Sequence, residues 1–357
     1  MRIAILTNAY PPEARGGAGR IAALQVGLLR ARGHEVRVFV TSLAWTSRPA
    51  WQRVFFHLRD LVWIHPLATE IIAWQPAVVL SHNLTGGGFR TPSAVQKKGI
   101  RWVHLLHDVQ LFEPLGLLAD EMPITSLQKI VTCLRSISFG SPDVVLSPTN
   151  WLLQAHMRRG WFKDIETRIV PNPAPDYRGS SQADWHTPLR LTFVGRVSAD
   201  KGANLLRAII ERSQRSIIWQ VVGSGSESLQ DVMLPTGSSL RTHGQSPSEE
   251  VLRILSESDI LLVPSQIVEN QPTVVLEAMS CGLPSIGSSL GGIPETIGDA
   301  GVIVEKQTTA AWLETIDRVV DRSCSEWTER ATSAWQLHAP DRVVEVLLEA
   351  FKSNKKI

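Results

Sequence analysis

Two glutamates, Glu269 and Glu277, stand eight positions apart in the stretch 264–281, PSQIVENQPTVVLEAMSC. Pro272 follows the first glutamate and an apolar run precedes the second, which is typical of a loop that leads into a helix. Carboxylates accept pairs of hydrogen bonds from neighbouring hydroxyl groups, as in sugars and ribose. The two residues therefore indicate a site for a polyhydroxylated ligand. The alternative for Glu277 is an acid in the first turn of a helix, where the helix dipole favours negative charge.

A second candidate site is the loop 195–202, GRVSADKG, which follows a predicted strand and precedes a predicted helix. Gly195 opens the loop, and Arg196 and Lys201 supply two cations within it. Arginine offers a bidentate fork and lysine a point charge, so the two together suit a diphosphate. The alternative is an exposed loop with ordinary surface charges.

A glycine-rich loop follows the first predicted strand and contains Gly16, Gly17 and Gly19. Glycines before a helix let backbone N–H groups approach an anion, which the positive end of the helix dipole attracts. The spacing is not that of the GxGxxG dinucleotide fingerprint, so the loop favours phosphate over a dinucleotide such as NAD. A simple turn is the alternative.

His107 and Asp108 come directly after another predicted strand. Ligand-facing groups of doubly wound α/β folds lie at the carboxyl ends of their strands. We expect Asp108 either to orient the imidazole of His107 or to cap a following helix. The two residues alone indicate a ligand site only weakly, because most histidines are structural.

The strand pattern predicts two α/β domains with parallel sheets, because short apolar runs alternate with helical spacing in both halves. The predicted domains are residues 1–172 and 189–339, joined by a linker at 173–188, with a final helix at 340–357. Segment 169–188 is rich in Pro, Asn, Asp, Ser and Gly, as linkers are. The predicted strands are 2–7, 36–40, 77–80, 101–106, 144–146, 189–194, 217–222, 259–263, 283–286 and 301–304.

Composition is that of an ordinary globular protein, with 43% hydrophobic and 20% charged residues in a chain of 357. Three scattered cysteines form neither a disulfide framework nor a metal-ligand spacing, which favours a reducing cytoplasm. Neither a signal peptide nor an apolar run of about 20 residues is evident, so we expect a soluble or peripheral protein. No cluster of His, Cys or Asp residues indicates a metal site.

Charge is divided unevenly between the two halves. Residues 1–172 carry 19 Lys and Arg against 11 Asp and Glu, whereas residues 173–357 carry 17 against 23. Two aromatic and Arg-rich segments in the basic half, 45–65 and 151–163, have the pattern of basic amphipathic helices. They predict either contact with an anionic membrane or, as for most amphipathic helices, packing of the apolar stripe on the core.

Six segments in this order make the chain resemble the family 4 retaining glycosyltransferases, whose domains form the GT-B fold. They are GGAGR at 16–20, HD at 107–108, PNP at 171–173, GRVSADKG at 195–202, VVGSG at 221–225, and the block 264–295 with its Glu-x7-Glu signature. The resemblance implies two Rossmann-like domains facing across a cleft, with the C-terminal helix crossing back to the N-terminal domain. It also implies that the C-terminal domain binds a nucleotide-diphosphate sugar and the N-terminal domain an acceptor.

Carried over residue by residue, the resemblance implies a catalytic set and a donor-binding set. Arg196 and Lys201 neutralise the diphosphate, Glu269 holds donor-sugar hydroxyls, and His107 bonds the sugar near its anomeric centre. Glu277 binds the ribose. The remaining donor-binding residues are Gly16, Gly17, Gly195, Asn270, Gln271, Pro272 and Thr273. Many members of the family have Phe-Gly or Gly-Xaa after the first glutamate, so the sequence Asn270-Gln271-Pro272 leaves the donor open.

The implied activity is transfer of a hexose-type sugar to a glycan, a lipid-linked or a small-molecule acceptor, with retention and without a metal or cofactor. The expected location is the cytoplasm, with peripheral contact to an anionic membrane as an option. A nucleotide-sugar epimerase of the same fold and a catalytically silent sugar-nucleotide-binding subunit are the alternatives. Nucleic acid is not an expected partner, because no motif for it is present.

Overall fold

The computed structural model describes residues 1–12, 17–41, 49–113, 126–177 and 183–352. The chain divides into two compact units. Unit 1 comprises Met1–Pro173 together with Pro340–Ile357, and unit 2 comprises Ala174–Ala339. The two units are described separately below.

Unit 1 contains a parallel sheet of six strands in the order β2-β1-β3-β4-β5-β6. The strands are β1 (Arg2–Thr7), β2 (Glu35–Val40), β3 (Val78–Ser81), β4 (Arg101–Leu105), β5 (Val144–Ser147) and β6 (Glu166–Ile169). All four residues of both β3 and β5 are buried, as expected for central strands covered on both faces. The helices between them are α1 (Gly17–Ala31), α2 (Ala50–Asp60), α3 (Leu67–Trp74), α4 (Arg90–Gln96), α5 (Ser126–Phe139) and α6 (Asn150–Met157).

Unit 2 repeats this plan with a parallel sheet in the order β12-β11-β10-β7-β8-β9. Its strands are β7 (Leu189–Val194), β8 (Ile217–Val222), β9 (Ser239–Gly244), β10 (Ile260–Val263), β11 (Ser285–Ser288) and β12 (Gly301–Val304). Its helices are α7 (Ala203–Arg212), α8 (Ser248–Ser256), α9 (Thr273–Ser280), α10 (Ile293–Ile297), α11 (Thr309–Val320) and α12 (Cys324–Trp335). The prediction of two Rossmann-like α/β units is confirmed.

The last helix, α13 (Pro340–Phe351), belongs to unit 1 although it follows unit 2 in the chain. Val343, Leu347 and Phe351 are buried in the same core cluster as the strands of the first sheet. Arg32 at the end of α1 donates to Asp341 at 2.7 Å. The predicted return of the C-terminal helix to the N-terminal domain is therefore confirmed.

Ten predicted strands are present within two residues of their predicted ends, whereas β6 and β9 were not predicted. Both are edge strands of their sheets. Their sequences, ETRI and SLRTHG, are largely polar and partly exposed. An edge strand pairs on one side only and can carry polar residues, so apolar runs do not reveal it.

The two predicted amphipathic segments have different environments. In 151–163, Leu152, Leu153 and Trp161 are buried in the core of unit 1, so core packing is the correct interpretation there. The other segment forms α2 from residue 50 onward, and its residues 45–48 lie outside the described part of the chain. Trp51 and Phe55 of α2 are exposed. Among the described residues, no helix is both long and apolar enough to cross a membrane.

Candidate active site

Two loops of unit 2 emerge side by side because their strands are neighbours. β7 and β10 pair in parallel, with Phe193 opposite Leu262, so the loops after Val194 and Val263 leave the same edge of the sheet. The backbone N–H of Gln266 in the second loop donates to the Asp200 carbonyl in the first at 2.8 Å. The sheet thus brings the predicted phosphate loop and the predicted carboxylate loop together.

Gly202 allows this close approach. Its φ is +83°, and a Cβ at this position would lie 2.0 Å from the carbonyl oxygen of Pro264. Glycine is the residue that meets both conditions, because it has no Cβ and accepts the left-handed region. Gly202 follows the 3-10 turn Ala199–Lys201 and precedes α7. It therefore fixes the backbone position from which the Lys201 side chain extends.

Lys201 and Glu269 form an ion pair between the two loops. Lys201 Nζ lies 2.7 Å from Glu269 Oε2, and the side chains are 27% and 17% exposed. The hydroxyl of Ser265 donates to the other carboxylate oxygen, Oε1. The predicted phosphate-binding cation and the predicted sugar-binding carboxylate are therefore direct neighbours. Because solvent reaches the pair, the phosphates of a polyanionic ligand can replace Glu269 as the partner of the Lys201 ammonium group.

Arg196 holds the other end of the first loop. Its guanidinium donates to Asp200 at 2.9 Å and to the hydroxyl of Ser198 at 3.2 Å, while the side chain stays 63% exposed. Burial acts to raise the pKa of Asp200, but hydrogen bonds from Ser198 and Arg196 lower it below its ordinary value. Arg196 is thus preorganised by one carboxylate and still open to a second anion.

Gly195 connects the phosphate loop to its neighbour at 221–225. Gly195 N donates to the Val222 carbonyl and Val197 N to the Ser224 carbonyl, both at 2.9 Å. Gly223 approaches so closely that a Cβ on it would lie 1.9 Å from the Gly195 carbonyl oxygen. Two segments that the sequence analysis singled out separately therefore form one packed unit.

The backbone of Glu269 is held by a third loop, which follows β11. Gly292 N donates to the Glu269 carbonyl at 2.7 Å, and Gly291 forms an isolated parallel bridge with Glu269. Gly291 has φ +65°, and a Cβ there would lie 2.4 Å from the same carbonyl. The GG pair of the predicted block 264–295 thus positions the first glutamate.

Glu277 lies inside α9, which begins at Thr273, so it is not a first-turn acid. It is only 4% exposed, among neighbours that include Val275, Leu276 and Ala278. A carboxylate at such a position requires polar partners, because burial of a charge without them is strongly unfavourable. This burial distinguishes Glu277 from an ordinary surface acid.

The segment between the two glutamates forms the approach to α9. Gln271 and Pro272 are buried, whereas Asn270 and Thr273 are half-buried. Pro272 is the residue before the first turn, where its missing N–H leaves no helix bond unmade. The positive end of the α9 dipole lies at Thr273, which suits an anionic or hydroxyl-rich ligand.

In unit 1, His107 follows β4 and is bonded to His82, which follows the neighbouring strand β3. His82 Nδ1 lies 2.7 Å from His107 Nε2, and the two rings are nearly parallel, at 19°. Burial lowers the pKa of His107 to about 4, and the pKa of His82 lies well below its ordinary value for the same reason. Both imidazoles are therefore neutral at physiological pH.

Asp108 connects the same two strand ends. It accepts hydrogen bonds from Asn83 Nδ2 at 3.0 Å and from the backbone N–H of Gln110 at 2.8 Å. Burial raises its pKa, which these hydrogen bonds partly offset. His82 and Asn83 were not predicted as site residues. The sequence does contain a signal for them, because His82 and Asn83 follow β3 at the same sheet edge where His107 and Asp108 follow the neighbouring strand β4.

The first glycine loop is only partly described. Gly17 is the first residue of α1 and is exposed, with nothing within 4 Å of a Cβ built on it. Gly16 lies outside the described residues. Over the part of the chain that the structure describes, no group of three or more His, Cys, Asp or Glu side chains could hold a metal ion.

Comparison with known families identifies the class of protein. Residues 15–176 match the family described as Glycosyltransferase Family 4, and residues 188–322 match Glycosyl transferases group 1. The chain therefore belongs to the group 1, family 4 glycosyltransferases, which are retaining enzymes that transfer a sugar from a nucleotide sugar. This confirms the resemblance inferred from the six segments.

Individual relatives agree with this family. The chain is 23% identical over 364 residues to the D-inositol 3-phosphate glycosyltransferase of Segniliparus rotundus, covering 87% of this chain and 79% of the relative. Sucrose-phosphate synthase from Thermosynechococcus elongatus superposes with a TM-score of 0.71 at 16% identity, covering 98% of both chains. Anabaena HepE in complex with UDP-glucose superposes with a TM-score of 0.67 at 14% identity, covering 98% of this chain and 99% of HepE. The structural likeness identifies the GT-B fold.

Proposed function

We propose that this enzyme moves a hexose from a nucleotide-diphosphate sugar to a glycan, lipid-linked or small-molecule acceptor. The observation that carries the proposal is the contact between Lys201 and Glu269, 2.7 Å apart. A cation suited to phosphate and a carboxylate suited to sugar hydroxyls meet at the carboxyl edge of a parallel sheet. This is where one ligand with both groups would bind.

The donor contacts divide between the two loops and α9. Arg196 and Lys201 bind the diphosphate, with Gly195 keeping the loop close to it. Glu269 and the segment Asn270–Thr273 bind the sugar, and Glu277 binds the ribose hydroxyls. The family resemblance adds Gly16, Gly17 and His107 as further donor-binding residues, of which Gly16 lies outside the described residues.

The chemistry requires stabilisation of a leaving diphosphate. The bond between the anomeric carbon and the phosphate oxygen breaks, so negative charge develops on that oxygen. Arg196 and Lys201 neutralise this charge without a metal. The acceptor oxygen attacks from the same face, and its proton passes to the leaving phosphate. We assign no protein nucleophile, and a neutral His107 contributes a hydrogen bond near the anomeric centre.

Donor and location are further parts of the proposal. HepE was crystallised with UDP-glucose, and its fold is shared by this chain, so UDP-glucose is the first donor to test. We expect the enzyme to act in the cytoplasm, with peripheral contact to the inner face of the cytoplasmic membrane. A membrane location suits a lipid-linked acceptor.

A thermal-shift panel of nucleotide-diphosphate sugars tests the donor first, since a bound ligand raises the melting temperature by mass action. Release of nucleoside diphosphate that depends on an added acceptor then tests transfer. Lys201→Ala and Glu277→Ala should abolish most turnover while the fold survives. Lys306→Ala, an exposed lysine of the same unit, is the matched control.

The alternatives predict different outcomes of the same assays. Conversion of the donor to its epimer without acceptor would identify an epimerase. Donor binding with no turnover across a broad acceptor panel would favour a silent binding subunit. Absence of any thermal shift with all nucleotide sugars would contradict the donor site itself.

A further inference from the structure

Ser265 and Glu269 are joined by a side-chain hydrogen bond within one loop of unit 2. The Ser265 hydroxyl donates to Glu269 Oε1, four residues further along the loop that follows β10. Ser265 is only 2% exposed, so solvent water does not compete for this hydroxyl. A serine hydroxyl has one hydrogen to donate, and here that hydrogen is committed to the carboxylate.

The backbone on both sides of Ser265 is held in place. Gln266 N donates to the Asp200 carbonyl at 2.8 Å, and Gln266 Nε2 donates to the Pro264 carbonyl at 3.0 Å. The same Pro264 carbonyl is the group that Gly202 approaches so closely that a Cβ would lie 2.0 Å away. Ser265 therefore cannot turn away from Glu269 without disturbing the packing between the two loops.

The carboxylate of Glu269 is oriented by its side-chain partners. Gly292 N donates to the Glu269 carbonyl at 2.7 Å and fixes the backbone. Several rotatable bonds separate that backbone from the carboxylate, so the backbone bond does not set its direction. Ser265 at Oε1 and Lys201 at Oε2 set it instead. The two oxygens of one carboxylate thus have two different partners.

These two partners differ in how readily a ligand can remove them. Lys201 is a partly exposed cation, and the phosphates of a ligand can form charge-assisted hydrogen bonds with it. Ser265 is neutral and buried, so an anion has no comparable attraction for it. When a diphosphate engages Lys201 as proposed above, Oε2 loses its partner whereas Oε1 keeps Ser265.

We propose that Ser265 is a positioning residue, which holds Glu269 Oε1 and thereby presents Oε2 to a hydroxyl of the donor sugar. The inference rests on the proposed function of this site. Without the Ser265 hydroxyl, the freed carboxylate can rotate, and binding of the sugar must include the cost of ordering it. Ser265 itself does not touch the sugar. It therefore acts on sugar recognition through Glu269 and leaves the phosphate contacts unchanged.

Titration calorimetry of the full chain with UDP-glucose and with UDP tests the proposal. Ser265→Ala should weaken UDP-glucose binding by about tenfold, because the carboxylate loses a buried hydrogen bond that orders it. UDP lacks the sugar and should bind within about twofold of the wild-type affinity, because its phosphates contact Lys201. Lys201→Ala should instead weaken both. If the thermal-shift panel selects another nucleotide sugar, that compound and its parent diphosphate are the probes.

Variants of Ser265 and of a second buried serine separate positioning from packing. Ser265→Thr keeps the hydroxyl and should bring UDP-glucose affinity back to within about threefold of wild type. Ser265→Cys keeps a side chain of similar shape with a weaker donor, and it should give an intermediate affinity. Ser285 is also buried, and its hydroxyl has no hydrogen-bond partner within the described part of the chain. Ser285→Ala should therefore leave the binding of both nucleotides unchanged.

A double-mutant cycle in urea tests the hydrogen bond without any nucleotide. The cycle compares the wild type with Ser265→Ala, with Glu269→Ala and with the double variant. We expect a coupling of about tenfold in the equilibrium constant of unfolding, because the bond joins a buried hydroxyl to a charged group. The same cycle with Ser285→Ala in place of Ser265→Ala should show no coupling.

Three results would overturn the proposal. They are equal weakening of UDP-glucose and UDP binding by Ser265→Ala, unchanged affinity for both, and no coupling in the urea cycle. If the wild type binds neither a nucleoside diphosphate nor any nucleotide sugar, the proposed function is contradicted. The urea cycle then still shows whether Ser265 holds Glu269, so the two failures are distinguishable.

Discussion

Lys201 Nζ lies 2.7 Å from Glu269 Oε2, and the two residues come from loops that follow adjacent parallel strands. In this arrangement the ammonium group and the carboxylate satisfy each other. If a diphosphate binds Lys201 as we propose, it competes with Glu269 and leaves that carboxylate available to sugar hydroxyls. We therefore expect binding of the phosphate and binding of the sugar to be coupled through this one contact.

The first prediction follows from this contact. Lys201→Ala should lower kcat/KM for the donor by about two to three orders of magnitude, because a developing phosphate charge loses a cation. It should change the free energy of unfolding by only about 0–1 kcal/mol, since the ion pair is partly exposed. Steady-state kinetics and urea denaturation measure the two effects. Equal losses in stability and in kcat/KM would indicate a structural lysine, and Lys306→Ala should show neither.

A second prediction concerns the close approach at Gly202. Gly202→Ala should destabilise unit 2 by about 1–3 kcal/mol, because the new methyl group meets the Pro264 carbonyl and φ is +83°. Donor affinity should fall as well, since Lys201 is the preceding residue. Gly27→Ala is the matched control: it lies inside α1 with nothing within 4 Å of its Cβ, and alanine is the better helix former. The control should gain up to about 1 kcal/mol in thermal denaturation; a stable, fully active Gly202→Ala would refute the prediction.

Much of the proposed donor site could be located from the sequence because it depends on short-range features. A strand, a glycine-bounded loop and a helix follow each other within about twenty residues, and each has a local signature. The sequence alone therefore predicts that Arg196, Lys201 and Glu269 lie in loops at strand ends. Their mutual contact depends on β7 and β10 being adjacent, and the sequence carries no signal for that order.

Other features depend on packing that no local pattern reveals. Glu277 could be a first-turn acid by sequence, and only the start of α9 at Thr273 excludes this, while its role in binding a ligand stays a prediction. The helix α5 has apolar residues on several sides, so which of them are exposed follows only from which side faces the core. Segments 45–65 and 151–163 are similar in composition, yet the first exposes Trp51 and Phe55 whereas the second buries Trp161 and Phe162.

A third prediction concerns pH, because unit 1 buries several neutral histidines. Burial lowers the pKa of His104 to about 3 and of His156 to about 4. Below about pH 6.5 these histidines bind protons in the unfolded chain but stay neutral in the folded chain. Their contribution to the free energy of unfolding is therefore fully present above that pH and decreases as the pH falls. Each buried histidine should remove about 1–2 kcal/mol between pH 7 and pH 5.

Buried carboxyl groups act in the opposite direction. Burial raises the pKa of Asp60 to about 6, so the folded chain gains a proton there before the unfolded chain does. Because the buried histidines outnumber this group, we expect the free energy of unfolding to decrease from pH 7 to pH 5. Urea denaturation at pH 7 and pH 5 measures this loss. His156→Gln should reduce the pH dependence because glutamine does not titrate, and its amide can still donate to the Leu152 carbonyl. A free energy of unfolding that is constant over this range would contradict the assignment.

The tautomer of His107 is set by His82. His82 is 1% exposed, and its Nε2 has no hydrogen-bond partner among the described residues. A buried N–H without an acceptor is strongly unfavourable, so the proton of His82 belongs on Nδ1, where it is donated to His107 Nε2. His107 then carries its own proton on Nδ1. His82 is therefore a positioning residue for the imidazole that we propose to contact the donor sugar.

The last prediction tests this relationship with two variants of one residue. His82→Phe removes the hydrogen bond, so His107 can change tautomer or take up a proton, and its pKa should rise. We expect kcat/KM to fall by about tenfold, with the acidic limb of the pH–rate profile moving to higher pH. His82→Asn can still donate from its amide and should restore most of the activity and the original profile. Equal losses in both variants, with an unshifted pH profile, would mean that His82 serves packing alone.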